Sequence, residues 1–422
     1  MVQRASMDRY DTSYEDESSS TPATERTDFS PAGAKPPAMP PFDIVGPEAI
    51  RDGTATDAYF LRTETTLRHA DRNPTVVAEV TADQFPDGDF ELLAGVNDAA
   101  ALLSGRGVDV DAMHEGRLFD GGPVMRIEGP YLEFARFETS LLGFLSHASG
   151  MATAALEARR AAPESTVLSF GARHVHPSIA AVVERSALLA GLDGFSHVAA
   201  GEVLGREAGG TMPHALLICF GRGEQEAAWR AFDDAVAPDV PRVALCDTYS
   251  DEVDEVLRAV ATLGDDLDSV RIDTTGSRRG DLRHIVREVR WELDARGHED
   301  VDVFASGGIG PAELRRLRDV ADGFGVGSHI SNAEPVDFAL DIVEVEGEPA
   351  AKRGKLSGTK QAYRTADGGH HVGLADREGP EDGEPLLEPL IRDGEVVREF
   401  DLDAAAARAL ADAEAVGFGT DG

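Results

Sequence analysis

The chain has 422 residues, 42% of them hydrophobic, which is enough for two domains or for one large barrel with an added layer. Aspartate and glutamate number 77 against 40 lysine plus arginine, a formal charge of −37. That balance disfavours nucleic acid and anionic membrane surfaces as main partners, because a phosphate backbone needs a positive face, and no apolar run approaches the roughly 18 residues of a membrane span.

Residues 1–41 are rich in Ser, Thr, Pro and Asp and lack an apolar signal core, so they read as a disordered tail and not as a secretory signal. Thr75–Val80 and Gly122–Glu128 read as strands. Phe90–Leu103 has helical apolar spacing, and Leu132–Arg160 reads as one or two helices whose small residues at 146–153 allow close packing. From about 165 to 330 short apolar runs alternate with helical stretches. The runs are 166–170, 194–200, 242–247, 269–273, 301–306 and 323–327. The helices between them include 177–189, 251–261, 281–296 and 311–319. Such alternation predicts parallel strands with helical crossovers. The runs end in polar residues or glycine, as at Arg173, Asp247, Asp273, Ser306 and Ser328, and this favours a βα barrel whose active site collects strand ends. Asp341–Val345 reads as a strand and Leu402–Ala415 as a terminal helix. Cys219 and Cys246, the only cysteines, sit in apolar runs and read as core thiols, which excludes a disulfide scaffold. The dispersed acidity fits a cytoplasmic protein in high salt, where screening cancels self-repulsion.

Five stretches carry candidate chemistry. Ser306-Gly307-Gly308 opens a helix after a strand, and Gly325-Val-Gly327-Ser328 follows the next run; both suit backbone contact with a phosphate, and both could equally be tight turns. Arg271 and Asp273 alternate on one strand and so point the same way. They could hold an anion and a sugar or a water-bound Mg²⁺, or simply pair with each other. His214, in Gly210-Thr211-Met-Pro-His214, reads as a phospho-accepting imidazole or as a core or cap histidine. Phe170 and Arg173 could stack on a ring and pair with its anion, or be a core phenylalanine and a surface arginine. Around Tyr59 polar and aromatic residues interleave, with Asp57 as a candidate helix cap. Among the forty basic residues only four are lysines, and Lys352, Lys355 and Lys360 lie within nine positions of each other. This cluster reads as an anion site or as a chance basic hairpin.

In this order the stretches resemble the nicotinate phosphoribosyltransferase family, in its archaeal-type branch. The likeness rests on Thr56-Asp-Ala-Tyr59, Phe170-Gly-Ala-Arg173, Gly210-Thr-x-x-His214, Arg271-Ile-Asp273 with Gly280-Asp281, Ser306-Gly-Gly-Ile309, Gly325-Val-Gly-Ser328 and Lys355–Arg364, and covers about 42–365. The resemblance implies an α/β fold of type II phosphoribosyltransferase kind: an incomplete βα barrel over 161–332, and an α/β sandwich domain formed by 42–160 and 333–422. It implies transfer of a phosphoribosyl group from 5-phosphoribosyl 1-diphosphate to nicotinate, with Mg²⁺, and with ATP as co-substrate. Tyr59 of a partner subunit and Phe170 would sandwich the pyridine ring. Thr211, Arg271 and Arg173 would hold its carboxylate. Ser306, Gly307, Gly308, Gly327, Ser328, Lys355 and Lys360 would hold the phosphoribosyl diphosphate. Asp273 would face ribose and Mg²⁺, and His214 would become phosphohistidine. A homodimer or higher homo-oligomer with shared sites follows. The rivals are a decarboxylating quinolinate phosphoribosyltransferase and a phosphosugar-binding barrel without turnover.

Overall fold

Period-two alternation builds one sheet. Val76, Ala78 and Val80 of strand Thr75–Gln84 turn into one core, and Ala78 and Val80 lie opposite Ile127 and Met125 of strand Pro123–Pro130. The computed structural model describes residues 42–84, 90–274, 276–278, 280–366 and 368–419. The tail expected over 1–41 therefore lies outside the described residues, and the unit discussed here begins at Ile44. Among the described residues the first sheet is antiparallel with seven strands. Their order is Glu348–Pro349, Asp337–Val345, Thr75–Gln84, Pro123–Pro130, Asp109–Ala112, Glu388–Arg392 and Glu395–Val396. Strands from both ends of the chain thus share one layer.

The second sheet is parallel. Its order is Gly194–Phe195, Thr166–Ser169, Gly323–Val326, Asp302–Ala305, Ser269–Ile272 and Val243–Leu245. Strands Ser269–Ile272 and Gly323–Val326 are buried at every position, as parallel strands covered on both faces must be. No ladder joins Gly194–Phe195 to Val243–Leu245 among the described residues, so the barrel is incomplete. The chain between them carries the helices Val198–Leu204, His214–Phe220 and Gln225–Ala235 instead of a closing strand. Because the strands are parallel, their C-terminal ends share one edge, where the site forms.

One helix connects the two cores. Glu138–Ala161 has 24 residues, which at 1.5 Å per residue is about 36 Å. Its Leu141 and Leu145 pack in the sandwich core, and Ala148, Met151, Ala155 and Leu156 pack in the barrel core. The small residues between them are required. A Cβ on Gly150 would lie 2.1 Å from the Glu334 carbonyl oxygen. The hydroxyls of Ser149 and Thr153 accept the amides of Ala94 and Leu92 at 3.0 and 2.8 Å.

Several expectations are corrected. Phe90–Leu103 is not one helix: Glu91–Leu92 pairs with Leu118–Phe119, and the helix starts at Val96, after Gly95 with φ +86°. Gly95 could carry no side chain there, since its Cβ would lie 2.3 Å from the Phe144 carbonyl oxygen. The strand read over 194–200 stops at Phe195, and His197 caps the helix Val198–Leu204 by accepting the Ala200 amide at 3.1 Å. Asp57 does stand before the helix Ala58–His69, yet its carboxylate accepts from the Thr139 hydroxyl at 2.8 Å and caps none of the helix amides. Cys246 is buried as expected, but Cys219 is exposed.

Candidate active site

Arg271 anchors the site. It stands on the buried strand Ser269–Ile272, and its guanidinium reaches the Thr211 hydroxyl through Nη1 and Asp273 Oδ2 through Nη2 at 3.3 Å. Burial pushes it down from the usual arginine range, while Asp273 and Asp247 push it back and Arg173 adds like-charge repulsion. It remains charged, because a guanidinium keeps its proton in proteins. Its Nε is buried without a hydrogen-bond partner, and so is the hydroxyl of Ser306. Both residues line a cavity of about 840 Å³. A buried cation with an unsatisfied donor beside an open cavity is a place for an anion.

Ten of the residues singled out in the sequence line that one cavity: Phe170, Arg173, Thr211, Arg271, Asp273, Ser306, Gly307, Gly308, Gly327 and Ser328. Gly307 and Gly308 have φ of +91° and +68°, which only glycine adopts freely. A Cβ on Gly307 would also lie 2.6 Å from Asp273 Oδ1, whereas Gly308 faces open space. Gly325 lines the same cavity and also serves packing. Its missing side chain makes room for the Phe170 ring, 2.4 Å from where a Cβ would be. Phe170 is further held by its amide, which donates to the Val326 carbonyl at 2.8 Å. The internal Arg271–Asp273 pair exists, but it coexists with the cavity and does not fill it.

His214 opens the helix His214–Phe220 directly after Pro213, and so the run following it is helical. Its Nε2 lies 3.0 Å from Asp247 Oδ1, and the Asp247 side chain is fully buried. The other Asp247 oxygen accepts the Asp273 amide at 2.6 Å and the Thr274 hydroxyl at 3.2 Å. Asp247 therefore ties the histidine to the strand end that carries Arg271 and Asp273. A carboxylate only accepts, so Nε2 carries the proton and Nδ1 is left with its lone pair. The hydrogen bond to Asp247 raises the His214 pKa, against desolvation. Asp247 was not among the residues singled out as catalytic; its only sequence signal was a strand run that ends in Asp.

Tyr59, His214, Lys355 and Lys360 do not line this cavity within one chain; His214 lines a neighbouring cavity with Asp247 and Thr274. Lys360 is a correction. Its three ammonium protons face Leu356 O at 2.8 Å, Gly358 O at 2.9 Å and Glu79 Oε2 at 2.8 Å, so it is committed to the sandwich interior. Lys355 and Lys352 pair with Asp341 at 3.2 and 2.7 Å. Tyr59 is 54% exposed on the helix Ala58–His69. The acidic environment of Asp57 and Glu138 links it to this same face, because Glu138 feels both Asp341 and Lys352.

No group of three or more metal-ligating side chains occurs among the described residues. Asp273 suits a Mg²⁺ that arrives on phosphates, which needs only one or two protein carboxylates. No helix among the described residues is long and apolar enough to cross a membrane.

The chain matches the quinolinate phosphoribosyl transferase N-terminal domain over residues 57–149 and the quinolinate phosphoribosyl transferase C-terminal domain over residues 151–341. The nicotinate phosphoribosyltransferase pncB1 of Mycobacterium tuberculosis is 30% identical over 391 residues, covering 85% of each chain. The pncB2 protein of the same organism is 33% identical over 334 residues, covering 75% of this chain and 68% of that one. Among solved structures, nicotinate-nucleotide pyrophosphorylase from Pyrococcus furiosus is 46% identical with a TM-score of 0.86, covering 90% of this chain and all (100%) of that one. Human nicotinic acid phosphoribosyltransferase, at 23% identity and a TM-score of 0.74, covers 85% of this chain and 93% of its own and shares the fold.

Proposed function

We propose that this chain, which belongs to the nicotinate phosphoribosyltransferase family and is a phosphoribosyltransferase of NAD biosynthesis, joins nicotinate to 5-phosphoribosyl 1-diphosphate, giving nicotinate mononucleotide and diphosphate with ATP hydrolysis coupled through His214. The observation that carries this reading is the buried Arg271, its Nε unpartnered, in one cavity with two glycine-bearing strand-end loops.

Arg271 and Thr211 would hold the nicotinate carboxylate, with Arg173 nearby, while Phe170 supports the ring. The 5-phosphate would lie against Ser306, Gly307, Gly308, Gly327 and Ser328. The pyridine nitrogen then gives its lone pair to C1 of the ribose as the bond from C1 to the diphosphate oxygen breaks, and the electrons leave with diphosphate. No protein nucleophile is needed. Rate comes from holding the nitrogen in line and from stabilising the oxocarbenium-like sugar and the departing anion. Asp273 faces the sugar and suits both the cationic centre and the metal; Mg²⁺ bound there would supply charge neutralisation for the diphosphate.

For the ATP step, Nδ1 of His214 would attack the γ-phosphorus, and the bond to the β-phosphate oxygen would break so that ADP leaves. Asp247 would stabilise the imidazolium that results. A protonated imidazole has no lone pair to give, and Asp247 keeps His214 protonated to higher pH than usual. The acid limb of the ATP-dependent rate is therefore expected at higher pH than an unperturbed histidine would give. Asp247→Asn should shift that limb to lower pH, measured by phosphoenzyme formation across pH. An unmoved limb would remove His214 from the step.

Quinolinate is the second reading, since the matching family models carry its name. Purified protein with 5-phosphoribosyl 1-diphosphate, Mg²⁺ and ATP in molar KCl should form nicotinate mononucleotide from nicotinate, and not the corresponding product from nicotinamide. Inactivity with nicotinate together with carbon dioxide release from quinolinate would reverse the choice. The site is completed, in this proposal, by a second copy of the chain that supplies Tyr59 and Lys355.

A further inference from the structure

The long helix Glu138–Ala161 starts on the face that carries Tyr59 and the lysines. Its second residue, Thr139, exchanges two hydrogen bonds with Asp57. The Asp57 amide donates to Thr139 Oγ1 at 3.2 Å, and that hydroxyl donates to Asp57 Oδ2 at 2.8 Å. Ser140 Oγ donates to the Ala55 carbonyl at 2.9 Å. The start of the helix Ala58–His69, with Tyr59, is thereby fastened to the start of the long helix. On the other side Asp341, in the strand Asp337–Val345, holds Lys352 Nζ at 2.7 Å and Lys355 Nζ at 3.2 Å.

The neighbouring acids are engaged. Asp57 accepts from Thr139, Asp341 meets two lysines, and Glu79, opposite Asp341 in the ladder, pairs with Lys360 at 2.8 Å. Glu138 differs. It is half-buried, and among the described residues it has no hydrogen-bond or ion-pair partner. It stands between the aromatic ring and the cations. The Tyr59 phenol feels Asp57 and Glu138, whereas Glu138 feels Asp57 on one side and Asp341 and Lys352 on the other. The Tyr131 phenol feels Glu138 as well. Burial first, then Asp341 and Asp57, push the Glu138 pKa up to about 7 against the pull of Lys352. A partly desolvated carboxyl without a partner is unfavourable in the free chain, and a hydroxyl arriving from outside would relieve it.

We infer that Glu138 is a further catalytic residue of the shared site, a carboxylate that the second copy presents to the ribose hydroxyls of the phosphoribosyl donor. The sequence of groups along the face (aromatic ring, carboxylate, ammonium groups) is the sequence of pyridine, ribose and phosphate in the product. A carboxylate accepts two hydroxyls at once, and its charge suits an oxocarbenium-like sugar. Asp273 meets the sugar from the cavity wall, and Glu138 meets it from the other chain. Asp57 and Asp341 are already occupied and do not compete for this role. The inference rests on the proposed second copy at the site, and it adds a sugar contact to Tyr59 and Lys355.

Ribose 5-phosphate and 2-deoxyribose 5-phosphate are the probes, titrated calorimetrically into the full chain. Their phosphates titrate alike, so the difference between them reports the hydroxyl. Wild type should prefer the ribose form at least about tenfold at pH 8, the scale of one hydrogen bond to a charged group. The preference should shrink below pH 7 as the carboxyl takes up its proton. Glu138→Ala should bind both sugars alike at either pH. Glu138→Gln should keep a preference that no longer changes with pH, and it guards against a folding defect in Glu138→Ala. A heterodimer of Glu138→Ala with Arg271→Ala should regain about half of wild-type transfer, because both defects then fall in one site. Equal affinity for the two sugars in wild type, or an undiminished preference in Glu138→Ala, overturns the inference. A preference that depends on Glu138 without recovery in the heterodimer would uphold the sugar contact and remove the second copy instead.

Discussion

Arg271→Ala is expected to lower kcat/KM for nicotinate by about a thousandfold. Removing one partner of a buried, hydrogen-bonded charge pair costs about 3–5 kcal/mol, and each 1.36 kcal/mol is a factor of ten. In the free protein Arg271 is held by Thr211 and Asp273. With substrate, its unpartnered Nε would gain the carboxylate. Arg271→Lys should recover little, because an ammonium lacks the planar fork that meets a carboxylate twice. Thr211→Val should cost less, since the guanidinium stays in place. The defect should appear chiefly in the nicotinate KM when nicotinate is varied, with a smaller change when 5-phosphoribosyl 1-diphosphate is varied. Melting temperatures of the variants, recorded in the same salt, separate this from lost packing around the strand. A loss under about tenfold would mean that the carboxylate is held elsewhere.

The parts of the site that were legible in the sequence are those whose chemistry is local. A glycine pair after an apolar run reads as a close backbone approach, and Gly307 and Gly308 make one, with positive φ at both. Arg271 and Asp273 share a strand face because side chains alternate. The barrel edge was legible because parallel strands all end on one side. Long-range partners were not legible. Nothing near His214 points to Asp247, which meets it only because the strand Val243–Leu245 ends beside the helix His214–Phe220. The pairing of Glu388–Arg392 with Asp109–Ala112 joins residues about two thirds of the chain length apart. The packing of Gly325 against the Phe170 ring was not legible either, because the ring comes from another strand. The lysine cluster was read as an anion site or a chance basic hairpin, and the fold divides it: Lys360 is locked to Glu79 inside, while Lys352 and Lys355 converge on the buried Asp341.

That division leads to the second large effect. The 840 Å³ cavity contains no residue of the face made by Tyr59, Lys352 and Lys355, and that face is exposed at Tyr59 and at Leu356. If a second copy brings this face to the cavity, each site draws Arg271 from one chain and Tyr59 with Lys355 from the other. Arg271→Ala and the double variant Tyr59→Ala/Lys355→Ala should each be nearly inactive alone. Co-expressed with different tags and purified as a heterodimer, they should regain about half of wild-type activity per dimer, because twofold symmetry leaves one site fully intact and puts every defect in the other. The converse pairing sharpens the test. A heterodimer of wild type with the triple variant Tyr59→Ala/Lys355→Ala/Arg271→Ala spoils both shared sites, since each takes one half from the variant chain, and should be nearly inactive. Sites built within single chains would give the opposite pattern: no recovery in the first heterodimer and about half activity in the second.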